Sequence, residues 1–137
     1  MKTIKIFFKL ALITCLVLGF FSCGKFASSI MDRALVEMAS QMNETLPMML
    51  DSETRLDTTM AHPGNTFAYY LTLVNHSAED LDAEEFNELM RPNIVNGLKS
   101  NPDMAAFKVM KINILYVYRD KENIEFSRID IPFKDYE

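Results

Sequence analysis

The residues to weigh first for chemistry are His62 and His76, the only two histidines. A His with two further ligands makes a metal site, and a His beside Ser or Cys makes a general base. His62 precedes Pro63-Gly64 and His76 follows Asn75, with no HxH or HExxH spacing at either. Both read as solvated turn residues. Carboxylates cluster at Glu79-Asp80-Asp82-Glu84-Glu85-Glu88 and at Asp51-Glu53-Asp57. Paired carboxylates can do acid–base work. The first cluster, however, opens a helix, where the macrodipole stabilises negative charge. Neither cluster has the alternating Asp/Asn, Gly bend and closing Glu of a calcium loop. No G-x-S-x-G and no P-loop occurs, and Ser77, Ser100 and Ser127 have no recognisable base and acid context. The expectation is no catalytic residue, no metal and no cofactor.

Methionine is the other chemically distinctive residue. Five of the ten fall between Met31 and Met49: Met31, Met38, Met42, Met48 and Met49. Thioethers bind Cu(I), and Met-rich surfaces adapt to varied partners. Met31, Leu35, Met38, Met42 and Leu46 recur at helical spacing, so the first three methionines read as core. Met48 and Met49 remain as candidate contact residues of a binding surface.

The elements that position these residues are legible from periodicity. Phe26 to Thr45 predicts a helix, capped by Ser28 or Ser29 and stopped by Pro47. Asp51 to Asn75 predicts a hairpin around His62-Pro63-Gly64-Asn65. In its first strand Leu56, Thr58 and Met60 share a face; in its second Phe67, Tyr69, Leu71 and Leu73 do. Asp82 caps a second helix carrying Phe86, Leu89, Met90, Ile94, Val95 and Leu98 inward, with a kink expected near Pro92. Asn101-Pro102 starts a short helix to about Phe107. Val109 to Arg119 and Ile124 to Ile131 predict two further strands, ended by Pro132. The fold class is α+β, in the order helix-β-β-helix-β-β, with an antiparallel sheet and helices packed mainly on one face. Ile112, Ile114 and Tyr116 then face the helices. Leu115 and Val117 lie on the opposite, half-wet face, with Ile129 nearby, as a candidate binding patch.

The N-terminus is a targeting segment. Residues 1–24 place Lys2, Lys5 and Lys9 before an apolar run from Leu10 to Phe21, followed by Ser22-Cys23-Gly24. That is the layout of a secretory signal, and the run is shorter than the ~20 apolar residues of a spanning helix. Cys23, after a small residue, resembles the lipidated cysteine of bacterial envelope lipoproteins. Phe20 departs from the Leu usual at that position. Cleavage after Gly24 and a retained anchor are the alternatives. Residues 25–137 form one domain with no cysteine, because Cys15 and Cys23 are the only two. That domain has no internal disulfide and must be held by its core. Loss of the segment removes three of the 14 basic residues and none of the 19 acidic ones, taking the net charge from −5 to −8. So acidic a domain is repelled by nucleic acid and anionic lipid.

Leu46-Pro47-Met48-Met49, Glu53-Thr54-Arg55-Leu56-Asp57, Pro63-Gly64-Asn65, Leu73-Val74-Asn75, Arg91-Pro92, Asn101-Pro102-Asp103-Met104 and Tyr116-Val117-Tyr118-Arg119 resemble a group of small uncharacterised bacterial proteins. These pair a hydrophobic N-terminus with one domain of this size. The resemblance implies a bacterial envelope setting and no particular activity. The expected function is a non-catalytic domain, facing the periplasm from a membrane tether or secreted, that binds a protein or peptide, with a second copy of itself as a further candidate partner. A small hydrolase with an unrecognised site, or an apolar-ligand carrier, is the alternative.

Overall fold

In the computed structural model, which describes residues 23–137 with side chains from Ile30 onward, the first element is helix α1, Cys23–Asn43. The targeting segment and the lipidation of Cys23 lie outside the described side chains. Leu35 of the predicted apolar stripe is fully buried, and Met38, Met42 and Leu46 pack beside it. The helix is fastened to the sheet at its C-terminal end. Asn43 Oδ1 accepts from the N–H and Oγ1 of Thr59 at 2.8 and 3.0 Å, and its Nδ2 donates to the Thr59 carbonyl at 2.9 Å.

The sheet has five strands in the order β1-β2-β3-β4-β5: β1 Met48–Met49, β2 Thr54–His62, β3 Thr66–Leu73, β4 Asn113–Arg119 and β5 Glu125–Ile131. The α+β class and the element order are as expected, and the hairpins β2–β3 and β4–β5 are antiparallel. The central pair β3–β4 is parallel, with Tyr69 opposite Tyr116. The reason is the connection. Helix α2, Ala83–Ser100, carries the chain back across the sheet before β4 begins, and a crossover of that length delivers a parallel neighbour.

Helix α2 starts where the cap predicts. Asp82 Oδ1 accepts from the N–H groups of Glu84 and Glu85 at 2.9 and 3.0 Å. A single helix, not two short ones meeting at Arg91, runs through Pro92. Pro92 lies on the exposed side, as does Glu88, whose carbonyl loses its helical donor there, so water can take that place. Arg91 ties the helix to the sheet edge, donating to the Asp130 carbonyl at 2.5 Å and to Asp135 Oδ2 at 2.6 Å.

Two further expectations are corrected. The β2 pairing slips between Leu56 and Thr58, a bulge at Asp57. The extra residue reverses the phase, so Leu56 and Thr59 are buried while Met60 is half exposed. Strand β4 also starts four residues later than Val109. A short 3₁₀ turn Pro102–Met104 leads into helix α3, Ala105–Val109, and Lys111 follows at φ 52°. That left-handed residue turns the chain so that Ile112 is fully buried and Asn113 enters the sheet.

The main core lies between the helices and one sheet face: Leu56, Phe67, Leu71, Ile114, Ile129 and Ile131 meet Leu35, Leu98 and Phe107. Tyr136, after a final 3₁₀ turn at Phe133–Asp135, closes it from the C-terminus. Its hydroxyl donates to the Ile112 carbonyl at 2.5 Å.

Candidate binding groove

On the helix-covered face, a groove of about 360 Å³ lies between the C-terminal half of α2 and the sheet. Ile94, Gly97, Leu98, Asn101 and Met104 form one wall, Leu56, Tyr69, Leu71 and Tyr116 the floor, and Leu50 the opposite rim. The floor follows from register. Tyr69 and Tyr116 are partners across the parallel pair, and their rings stack with centroids 5.2 Å apart at 16°. Such a stack contributes ~0.5–1.5 kcal/mol beyond the area it buries.

The phenols carry the polar chemistry of this floor. Among the described residues, neither the Tyr69 nor the Tyr116 hydroxyl has a hydrogen-bond partner. Burial, and then the neighbouring Tyr136, push the Tyr69 phenol up to about 12. Burial and the adjacent tyrosines push Tyr116 further in the same direction. Both are therefore neutral O–H groups at any physiological pH, able to donate to a carbonyl or hydroxyl that enters.

Gly97 opens the wall. It sits inside α2, where glycine costs ~0.5–1 kcal/mol relative to alanine. A Cβ built there meets nothing within 4 Å, so no packing within the chain requires the missing side chain.

Among the described residues, no charged residue lines the groove, and both signs of charge adjoin its lining in sequence. Asp51 follows Leu50, and the N–H groups of Glu53 and Thr54 donate to its Oδ1 at 2.7 Å each. Those two bonds hold its carboxyl below the usual carboxylate range. Burial, and then the Asp51 charge, push Tyr118 up to about 12. Asp103, exposed, lies between Asn101 and Met104 at the other wall.

The residues singled out by sequence fall in three places. Met48 and Met49, each 47% exposed, form the edge strand leading directly to Leu50. Leu115 and Val117 do lie on the far face, but at 5% and 0% exposure they are buried, not half wet. They pack with Ala68 under Tyr70, which is held by a 3.0 Å bond to His62 Nε2 and by Arg119 5.4 Å over its ring. Ile129 is separated from them altogether. The β5 register turns it into the helix-side core opposite Tyr116. The apolar patch expected from Leu115, Val117 and Ile129 is thus not formed. His76, expected to be solvated only, pairs with Glu53 at 2.5 Å.

The groove residues were missed because Tyr69, Leu71 and Tyr116 have the period of core positions and nothing local marks a gap above them. Asn101 and Gly97 were the available signals, one a cap and the other an unneeded helix glycine. Asp120 was missed as well. It is fully buried and accepts from the N–H groups of Ala78, Glu122 and Ile124 at 2.9, 2.9 and 2.8 Å. Among the described residues, no group of three or more His, Cys, Asp and Glu could hold a metal ion, and no helix is long and apolar enough to cross a membrane.

Fold and groove together define an α+β domain with a helix-walled apolar cleft. Residues 29–126 match a domain of unknown function, DUF8479, and the chain belongs to that family. No curated protein matches it significantly. Among solved structures it is similar to a protein of Pseudomonas aeruginosa assigned provisionally as secreted, at TM-score 0.67 and 13% identity, covering 80% of this chain and 96% of that one. It is also similar to EpsS, the pilotin of the Vibrio vulnificus type 2 secretion system, at TM-score 0.60 and 8% identity, covering 80% and 94%. The type II secretion pilotin AspS of Vibrio cholerae matches at TM-score 0.59 and 12% identity, covering 79% and 94%. At these identities the likeness is one of fold.

Proposed function

We propose that this protein is a non-catalytic component of the bacterial cell envelope that binds a protein or peptide partner in the groove between α2 and the sheet. The observation that carries the reading is the groove itself: an apolar cleft floored by two unpaired phenols and continued by the exposed Met48-Met49-Leu50 edge. Concave apolar sites with a few convergent polar groups are the usual form of a binding site. Likeness in fold to two secretion-system pilotins and to a protein provisionally assigned as secreted supports an envelope setting. In this reading Cys23 carries the lipid that tethers the domain, at the first residue of α1, and Met48 and Met49 are contact residues.

Site-directed photo-crosslinking tests it. A photoreactive residue at position 49 or 50 should trap a discrete envelope protein, and Leu50→Glu, at a half-exposed rim position, should abolish a crosslink formed from position 49. The same probe at Val109, 83% exposed and outside the groove, should trap nothing specific. Equal crosslinking from all three positions, or indifference to Leu50→Glu, would overturn the groove as the binding site.

A further inference from the structure

We infer that Met48 is a site of two-electron oxidation by peroxide, and that its sulfoxide weakens the hold of the groove on its partner. The effect on binding rests on the groove being the partner site; the oxidation site itself does not. Residues 25–137 contain no cysteine, so thioethers carry the sulfur redox chemistry of the domain. Exposure selects among them. Met48, Met49 and Met60 are 47%, 47% and 49% exposed, whereas the other methionines among the described residues are half-buried or buried. Register then separates these three. Met48 lies opposite Leu56, which floors the groove. Leu50, whose N–H donates to the Thr54 carbonyl at 2.8 Å, continues the same pairing, so alternation sets Met48 and the rim residue Leu50 on one face. Met49 lies opposite Arg55 on the other face, and Met60 opposite Ala68 in the far-face cluster.

A lone pair of the Met48 sulfur attacks one oxygen of hydrogen peroxide. The S–O bond forms as the O–O bond breaks, and the departing oxygen takes up the proton of the transferred one and leaves as water. Sulfur loses two electrons and the peroxide gains them. The product is a polar sulfoxide in place of an apolar thioether. Its oxygen is an acceptor, and the side chains of Leu50 and Leu56 beside it carry no donor. An apolar partner covering that oxygen strips its water and returns no hydrogen bond.

Graded hydrogen peroxide on the full chain tests both halves, read by tandem mass spectrometry of proteolytic fragments and by photo-crosslinking from position 49. In the wild-type chain Met48, Met49 and Met60 should each gain one oxygen before the other methionines of the domain. The crosslinking probe replaces Met49 and leaves Met48 as the thioether of the edge. Crosslink yield should fall about tenfold as Met48 oxidises, and recover after treatment with a methionine sulfoxide reductase and thiol. Met48→Leu keeps apolar bulk and has no sulfur, so it should hold the crosslink through peroxide; Met60→Leu should give no protection. Cys15 and Cys23 are present in every variant, so their oxidation does not distinguish them. Met48→Gln should lower the yield without oxidant while the melt stays cooperative. Oxidation of half-buried methionines ahead of Met48 overturns the site. A crosslink that survives full oxidation of Met48, or is lost equally in Met48→Leu, overturns the effect on binding and leaves the groove reading standing. A crosslink absent from the untreated protein overturns the groove reading and the effect on binding with it, while the order of oxidation still decides the site.

Discussion

The N–H of Ala78 donates to Asp120 Oδ2 at 2.9 Å, a bond between residues 42 positions apart in the chain. The other carboxylate oxygen of Asp120 accepts from Glu122 and Ile124 and shapes the β4–β5 turn. One side chain thus joins the entry to α2, the end of β4 and the start of β5.

Burial alone would raise the Asp120 pKa. Its backbone donors Ala78, Ile124 and Glu122, with the Lys121 charge, outweigh that and bring it below the ordinary aspartate value of 3.8. A carboxyl held low in the folded state stabilises the fold above its unfolded pKa, and that contribution is lost as the pH falls through the folded value. The Tm of the wild-type protein should therefore exceed that of Asp120→Ala clearly at pH 7, and the gap should narrow below about pH 4. Thermal melts at a series of pH values measure this. A gap that widens on acidification is incompatible with the carboxylate role.

The two sheet faces give a paired test. Ile114, 1% exposed in the helix-side core, should cost ~2–5 kcal/mol on truncation to alanine. Leu115 is buried on the other face, so Leu115→Asp should also unfold or strongly destabilise the domain, because it forces a charge into an apolar cluster. Circular dichroism melts compare them. A Leu115→Asp protein that melts like wild type would restore the open face expected from sequence.

Alkaline titration tests the aromatic row. Tyr69, Tyr118 and Tyr136 sit at about 12 against an ordinary 10.0, in each case mainly through burial. An acid whose folded pKa is raised loses its proton more easily when unfolded. Stability from these groups is full below pH 10 and falls as the pH rises above it. Ultraviolet titration should show these phenols ionising together with unfolding. Tyr136→Phe, which leaves the Ile112 carbonyl without its 2.5 Å donor, should cost ~1–3 kcal/mol at neutral pH.

Processing at Cys23 is tested by intact mass. Expressed in a bacterium with lipoprotein processing, the chain should begin at Cys23 with the added mass of its lipid, and Cys23→Ala should leave an unmodified precursor. A mature chain starting at Lys25 without modification favours simple cleavage. A domain released by cleavage should melt cooperatively and be indifferent to reductant, since residues 25–137 contain no cysteine.

Short-range chemistry was written in the chain. The stripe around Leu35, the Asp82 cap, the Pro63-Gly64-Asn65 turn and the alternation of Phe67, Tyr69, Leu71 and Leu73 each depend on interactions within a few residues, and each stands in the structure. The missing cysteines, the acidic balance and the signal-like N-terminus are likewise properties of sequence alone. Tertiary structure decided everything that depends on a partner far along the chain. The bulge at Asp57 reverses a face, and Asp57 Oδ2 takes the Thr72 hydroxyl at 2.6 Å, a bond that exists only once β2 and β3 are aligned. The parallel β3–β4 pair is set by where α2 lands. The β4–β5 register sets Ile129 opposite Tyr116 on the helix side, and Val117 is buried behind Tyr70 on the other face. Alternation names two faces and cannot say which is covered, because coverage is decided by elements that no local period encodes. The groove is the extreme case, since Tyr69, Gly97 and Tyr116 meet only when helix and parallel strands pack, and the space between them belongs to no segment of the sequence.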